Sequence, residues 1–165
     1  MQRHISSVRR SAAFAGLIVA VAACSNDDTT TTPTLPSAYD ETKLVADDAS
    51  LGATTVDANL VNAWGLAFNA SGSVLWVSNN GTHTSTLYNS TTGAKNTLVV
   101  AIPKSGTTPG GAPTGQVFNP TTDFVINGGT KASFIFSTED GTIAAWNSGA
   151  SAVTVADRST NGAVY

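Results

Sequence analysis

The chain reads as an all-β protein built from repeated four-stranded sheets, and three observations carry that reading. The first is the stretch 59–89, NLVNAWGLAFNASGSVLWVSNNGTHTSTLYN, in which strand patterns at 64–68, 74–78 and 85–88 are separated by a turn at 69–72 and by the pair Asn80-Gly81. An Asn-Gly pair between β-rich runs is the strongest short hairpin signal a sequence offers. The second is a recurrence: Gly115, Phe118 and Asn119 follow Gly65, Phe68 and Asn69 by fifty residues each. The copy continues through 134–138, turns at Asp140-Gly141, and ends in 142–147, where Trp146-Asn147 answers Tyr88-Asn89. The third is the spacing of Val45-Ala46, Val100-Ala101 and Val155-Ala156, fifty-five residues apart, each inside a β-branched run that reads as a fourth strand. Four short strands in about fifty residues predict stacked sheets of the β-propeller kind, because one such sheet cannot bury both of its faces alone. A β-sandwich with coincidental spacing is the competing architecture.

Residues 42–165 supply a little over two such sheets, whereas a closed ring needs at least four. The expectation is therefore an incomplete β-propeller: about two four-stranded blades plus an N-terminal closing strand at 43–47, the front portion of a longer propeller. The closing strand should be unpaired or improvise a partner. The open blade faces should expose apolar surface.

Residues 1–23 have the order of an export signal: Arg3, Arg9 and Arg10, an apolar run at 12–22 too short for a permanent membrane span, then small residues. Val21-Ala22-Ala23-Cys24 resembles the lipobox of bacterial lipoproteins. That resemblance implies that Cys24 becomes the mature N-terminus and carries acyl chains, with the membrane as its partner. At ~0.8 kcal/mol per buried methylene, two or three chains hold a protein stably without a span. Ser25, where an inner-membrane retention aspartate could stand, favours the outer membrane or cell surface, with a periplasmic face as the alternative. Cys24 is the sole cysteine, so no disulfide supports the fold. Residues 24–41 are rich in threonine, with Pro33 and Pro36, and read as a flexible tether.

Removing the signal takes away three of eight basic residues and none of eleven acids, moving the net charge from −3 to −6. Nucleic acid is excluded as a partner, since such binders need a basic stripe. No 3.6-residue periodicity appears after the signal, so little helix is expected.

The loops at one end of the predicted sheets gather Asn62, Asn79, Asn80, His83, Glu139 and Asp140, a candidate ligand face. Amide and carboxylate oxygens from successive blades could bind calcium. Ordinary hairpin chemistry explains Asn80-Gly81 and Asp140-Gly141 equally, because these residues suit positive φ. His83 has no cysteine or serine triad around it, and zinc spacings are missing. Trp64, Trp76 and Trp146 could form an aromatic platform for sugars, but Trp76 lies in an apolar strand run and Trp146 ends a third strand, so packing between blades is the expected role. The glycine-rich run at 105–115 lacks the ending of a phosphate loop and reads as a connection between blades.

These motifs, AWGLAF, LWVSNNGTHTSTLY, PTGQVFN and FIFSTEDGTIAAWN, resemble the NHL and YVTN type of propeller repeat, and more closely an uncharacterised family of exported bacterial propellers, some with PEP-CTERM sorting tails. The resemblance covers about 44–165 and implies the fold, but no catalytic residue. Ala63 stands where a proline before Trp-Gly is common, and the lipobox replaces the sorting tail. Two readings follow: a lipid-anchored binding or scaffolding module for a small-molecule, glycan or protein ligand, or a metal-dependent hydrolase of the lactonase type with its other ligands in further blades.

Overall fold

Runs of apolar and β-branched residues broken by Asn, Asp and Gly every five to seven positions give twelve short strands in the computed structural model, which describes residues 38–105, 109–126 and 128–165. The expectations for the signal, Cys24 and most of the tether lie outside the described residues. Among the described residues, helix is confined to two 3-10 turns, Ala49–Leu51 and Ser159–Asn161, and no helix is long and apolar enough to cross a membrane.

The first four-stranded antiparallel sheet is a meander of β3 (Ala63–Phe68), β4 (Val74–Asn79), β5 (Thr84–Asn89) and β6 (Lys95–Ala101). The second is formed by β7 (Pro113–Phe118), β10 (Phe134–Thr138), β11 (Thr142–Trp146) and β12 (Val153–Asp157), in that order across the sheet. Between β7 and β10 the chain makes a small hairpin of β8 (Val125–Ile126) and β9 (Thr130–Lys131), the expansion around Lys131.

The sheets repeat each other in detail. In β3, Ala63 pairs with Asn79 and Leu66 with Val77, so Trp64 and Gly65 together face Ser78. In β7, Pro113 pairs with Thr138 and Gln116 with Phe136, so Thr114 and Gly115 face Ser137. The same one-residue bulge thus bends both first strands at the same place. The exits repeat as well. Ile102 N–H donates to His83 O and Gly111 N–H to Ile102 O; Arg158 N–H donates to Gly141 O and Ala163 N–H to Arg158 O.

Because side chains alternate across a strand, Val74 and Trp76 of β4, Leu87 of β5 and Val100 of β6 point to one face of the first sheet. They meet Phe134, Phe136 and Ala144 of the second. Trp76 stacks on Phe134 with ring centroids 3.9 Å apart, and Trp146 lies 4.9 Å from Trp76. Each large side chain buried this way contributes roughly 1.5–3 kcal/mol. At the inner edge β3 and β7 run side by side: a Cβ on Gly65 would stand 2.4 Å from Thr114 O, and Gln116 Nε2 donates to Gly65 O.

The other face of each sheet is partly open. Leu66, Phe68 and Val117 are 62%, 52% and 55% exposed. Ile126 and Ala132, from the 124–132 excursion, cover Ala145 on the second sheet. On the first sheet the cover comes from the N-terminal segment, where β1 (Val45–Ala46) pairs in parallel with β2 (Thr55–Val56). Within the 43–47 run, Val45 and Ala46 thus find a local partner ten residues downstream.

Gly65→Ala is expected to destabilise the protein by roughly 1–3 kcal/mol, the usual cost of overpacking, since backbone occupies the position of its Cβ. Gly115→Ala, whose Cβ would approach only the Ser137 hydroxyl at 3.0 Å, should cost well under half as much. Urea unfolding of the two variants, at equal m-value, checks the difference.

Candidate functional site

The side-by-side packing of β3 and β7 brings the same end of both sheets together, where the β4–β5 and β10–β11 turns lie next to the entry of β3. Asn62, with φ of 52°, adopts the left-handed conformation that asparagine tolerates. Its amide is thereby placed between two neighbours. Trp64 Nε1 donates to Asn62 Oδ1 (3.0 Å), and Asn62 Nδ2 donates to Asn80 Oδ1 (3.1 Å). Asn80 Nδ2 in turn donates to Glu139 Oε2 (2.9 Å). Asn80 and Glu139 each follow the second strand of their sheet, so the last bond joins equivalent positions. It links strand ends 59 residues apart.

Of the six predicted site residues, Asn62, Asn80 and Glu139 form this line, and Asn79, His83 and Asp140 do not join it. His83 Nδ1 lies 3.2 Å from Gly111 O, and Asp140 Oδ2 accepts from Ala112 N–H at 2.6 Å. Both hold the connection that enters β7. The predicted hairpin chemistry needs one correction. Neither Asn80 nor Gly81 has positive φ; the turn spans four residues and its left-handed position is His83, at 61°. Gly81 is needed for space instead, since a Cβ there would meet Val61 Cγ1 at 2.7 Å. At Asp140-Gly141 the expected pattern holds, with Gly141 at φ 74°.

Trp64 is 55% exposed, while Trp76 is buried and Trp146 half-buried. Its indole N–H is tied to Asn62, which fixes the ring's direction at the open end of the sheet. Asn79 is fully buried, with Nδ2 donating to Thr84 and Thr86 hydroxyls and Oδ1 without a partner among the described residues. Ser78 Oγ, opposite the bulge, is likewise buried without a partner. Its counterpart Ser137 accepts from Gly115 N–H and bonds the Thr114 hydroxyl.

The most heavily bonded charge is one that sequence reasoning missed. Asp57, just after β2, is buried against the first sheet. Its Oδ2 accepts from Tyr88 OH (2.6 Å), and its Oδ1 accepts from Lys95 Nζ (2.6 Å) and from both Asn59 N–H and Nδ2. Burial pushes the Asp57 carboxyl up, but the hydrogen bonds from Lys95, Tyr88 and Asn59 together outweigh it and bring the pKa down to about 2. Burial, and then the adjacent carboxylate, push the Tyr88 hydroxyl up. These bonds fasten the N-terminal segment beside the first sheet, leaving an open cleft of about 290 Å³ lined by Leu44, Val45, Leu60, Leu66, Leu75 and Val77. The local signal was the Asp57-Ala-Asn59 turn pattern, but nothing in the sequence linked it to Tyr88 and Lys95.

For metals the described residues offer little: no group of three His, Cys, Asp or Glu side chains among them could hold an ion. No protein-family model matches the chain, and no curated protein matches it.

The Asp57 cluster sets an acid limit on stability. Its carboxyl is near 3.8 when unfolded and about 2 when folded, so its contribution is complete above about pH 4 and is lost as pH falls toward 2. The loss is roughly 1–3 kcal/mol. Thermal unfolding from pH 5 to pH 2 should show this slope in the wild type and a flatter one in Asp57→Asn, which is less stable at pH 7.

Proposed function

We propose that the protein is an exported, lipid-anchored binding module of the β-propeller type, whose ligand end is the Trp64–Asn62–Asn80–Glu139 line. The two sheets take the places of adjacent blades, and further sheets of the same kind pack on their open faces. Three features support the ring. The bulges in β3 and β7 coincide. Gly115 occupies in β7 the position that Gly65 uses to admit a neighbouring strand. The Arg158–Ala163 exit repeats the Ile102–Gly111 exit that leads into β7.

The observation that carries the binding function is the Asn80–Glu139 bond, because it draws polar side chains from equivalent positions of two sheets to one point beside an exposed, oriented indole. Such a site suits a polar organic ligand, with hydrogen bonds fixing its orientation and the ring supplying contact area. Cys24 gives the anchor and residues 24–41 the reach.

Trp64 reports on this site. A panel of mono- and oligosaccharides should contain a ligand that changes tryptophan emission in the wild type, and the response should vanish in Trp64→Phe and Asn80→Ala. Calcium alone changing the emission, with loss in Glu139→Gln, would instead favour the metal-dependent hydrolase. For the anchor, labelling of bacteria expressing the protein with an alkyne fatty acid should tag the wild type and leave Cys24→Ser untagged; equal labelling of both overturns the lipoprotein assignment.

A further inference from the structure

Asn-Gly pairs are chemically weak points of a chain, since glycine leaves its own amide nitrogen unhindered for attack on the preceding side chain. The sequence holds three, at 80–81, 127–128 and 161–162, of which the first and last are wholly among the described residues. Their surroundings differ. Asn80 is 9% exposed, its Nδ2 donates to Glu139, its Oδ1 accepts from Asn62, and Gly81 N–H donates to Val61 O. Asn161 is exposed at the end of a single 3-10 turn, and no hydrogen bond to its side chain appears among the described residues. Gly162 follows in the left-handed conformation, held by one N–H bond to Ser159 O.

We propose that Asn161 is a site of spontaneous deamidation, and that the Asn62–Asn80–Glu139 line shields Asn80 from the same reaction. In the step itself the Gly162 amide nitrogen gives up its proton and attacks Asn161 Cγ. The new C–N bond forms as the Cγ–Nδ2 bond breaks, and ammonia leaves with a proton. Water then opens the cyclic imide to aspartate or isoaspartate. At Asn80 the same attack requires the side chain to turn out of two hydrogen bonds and the Gly81 amide to leave a third. Opening them slows the reaction by more than about tenfold.

The consequence falls on the exit from the second sheet. Isoaspartate lengthens the main chain by one methylene just before Gly162 and Ala163. Ala163 O packs so closely on Gly141 that a Cβ there would stand 2.3 Å away, and Tyr165 N–H donates to Thr138 O. The modification therefore loosens the segment that lies against the β10–β11 turn.

The test is incubation of the full chain at mildly alkaline pH, followed by peptide mapping of each Asn-Gly pair over time. Asn161 should convert readily, with faster hydrogen exchange at the Tyr165 amide in the isoaspartate form, and Asn80 more than about tenfold more slowly. Glu139→Ala and Asn62→Gly, which remove either end of the shield, should speed conversion at Asn80 and leave Asn161 unchanged. Asn80 converting as fast as Asn161 in the wild type, or at a rate indifferent to both substitutions, overturns the proposal.

Discussion

Each four-stranded sheet of this protein has apolar residues on both faces, and neither face can be buried by the sheet alone. The β4 run Val74-Leu75-Trp76-Val77 and the β10 run Phe134-Ile135-Phe136 do not alternate apolar with polar, as a sheet with one wet face would. Trp76 stacked on Phe134, with Leu87, Val100, Phe136 and Ala144 around them, is the one place among the described residues where two such faces meet fully. The remaining faces are covered only in part, by the fastened N-terminal segment on one side and by Ile126 and Ala132 on the other.

The polar end of the molecule follows from that packing. Stacking two copies of the same meander places equivalent turns beside each other, so a side chain after β4 meets a side chain after β10. Here they are an amide and a carboxylate, Asn80 and Glu139, at 2.9 Å. The pairing needs the inner strands to approach closely, which Gly65 permits and the shared bulge directs. The geometry of the candidate site is thus a product of the core, and disturbing the Gly65 contact should move the site before it unfolds the sheet.

Much of this was legible in the sequence because it is periodic. The fifty-residue recurrence of Gly-x-x-Phe-Asn placed β3 and β7, the fifty-five-residue recurrence of Val-Ala placed β6 and β12, and β-rich runs between turn signals placed the four strands between them; Tyr88 and Trp146 do occupy matching positions, opposite Leu75 and Phe134. What was not legible is non-periodic. The Asp57–Tyr88–Lys95 cluster joins residues up to 38 apart that share no pattern. The turn at Asn80 looked like a two-residue hairpin, yet its positive φ falls three residues on, at His83. His83 and Asp140 sit at the same end as the asparagines but spend their polar atoms on backbone, a distinction that depends on a few ångströms of loop placement.

The central claim is that the two sheets are one cooperative unit because each supplies the other's missing apolar partner. Native-state hydrogen exchange tests it most directly. The amides of Trp76 and Val77 in β4 and those of Phe134 and Phe136 in β10 should exchange with the same opening free energy, equal to that of global unfolding. Protection persisting in one sheet while the other exchanges freely would contradict the account.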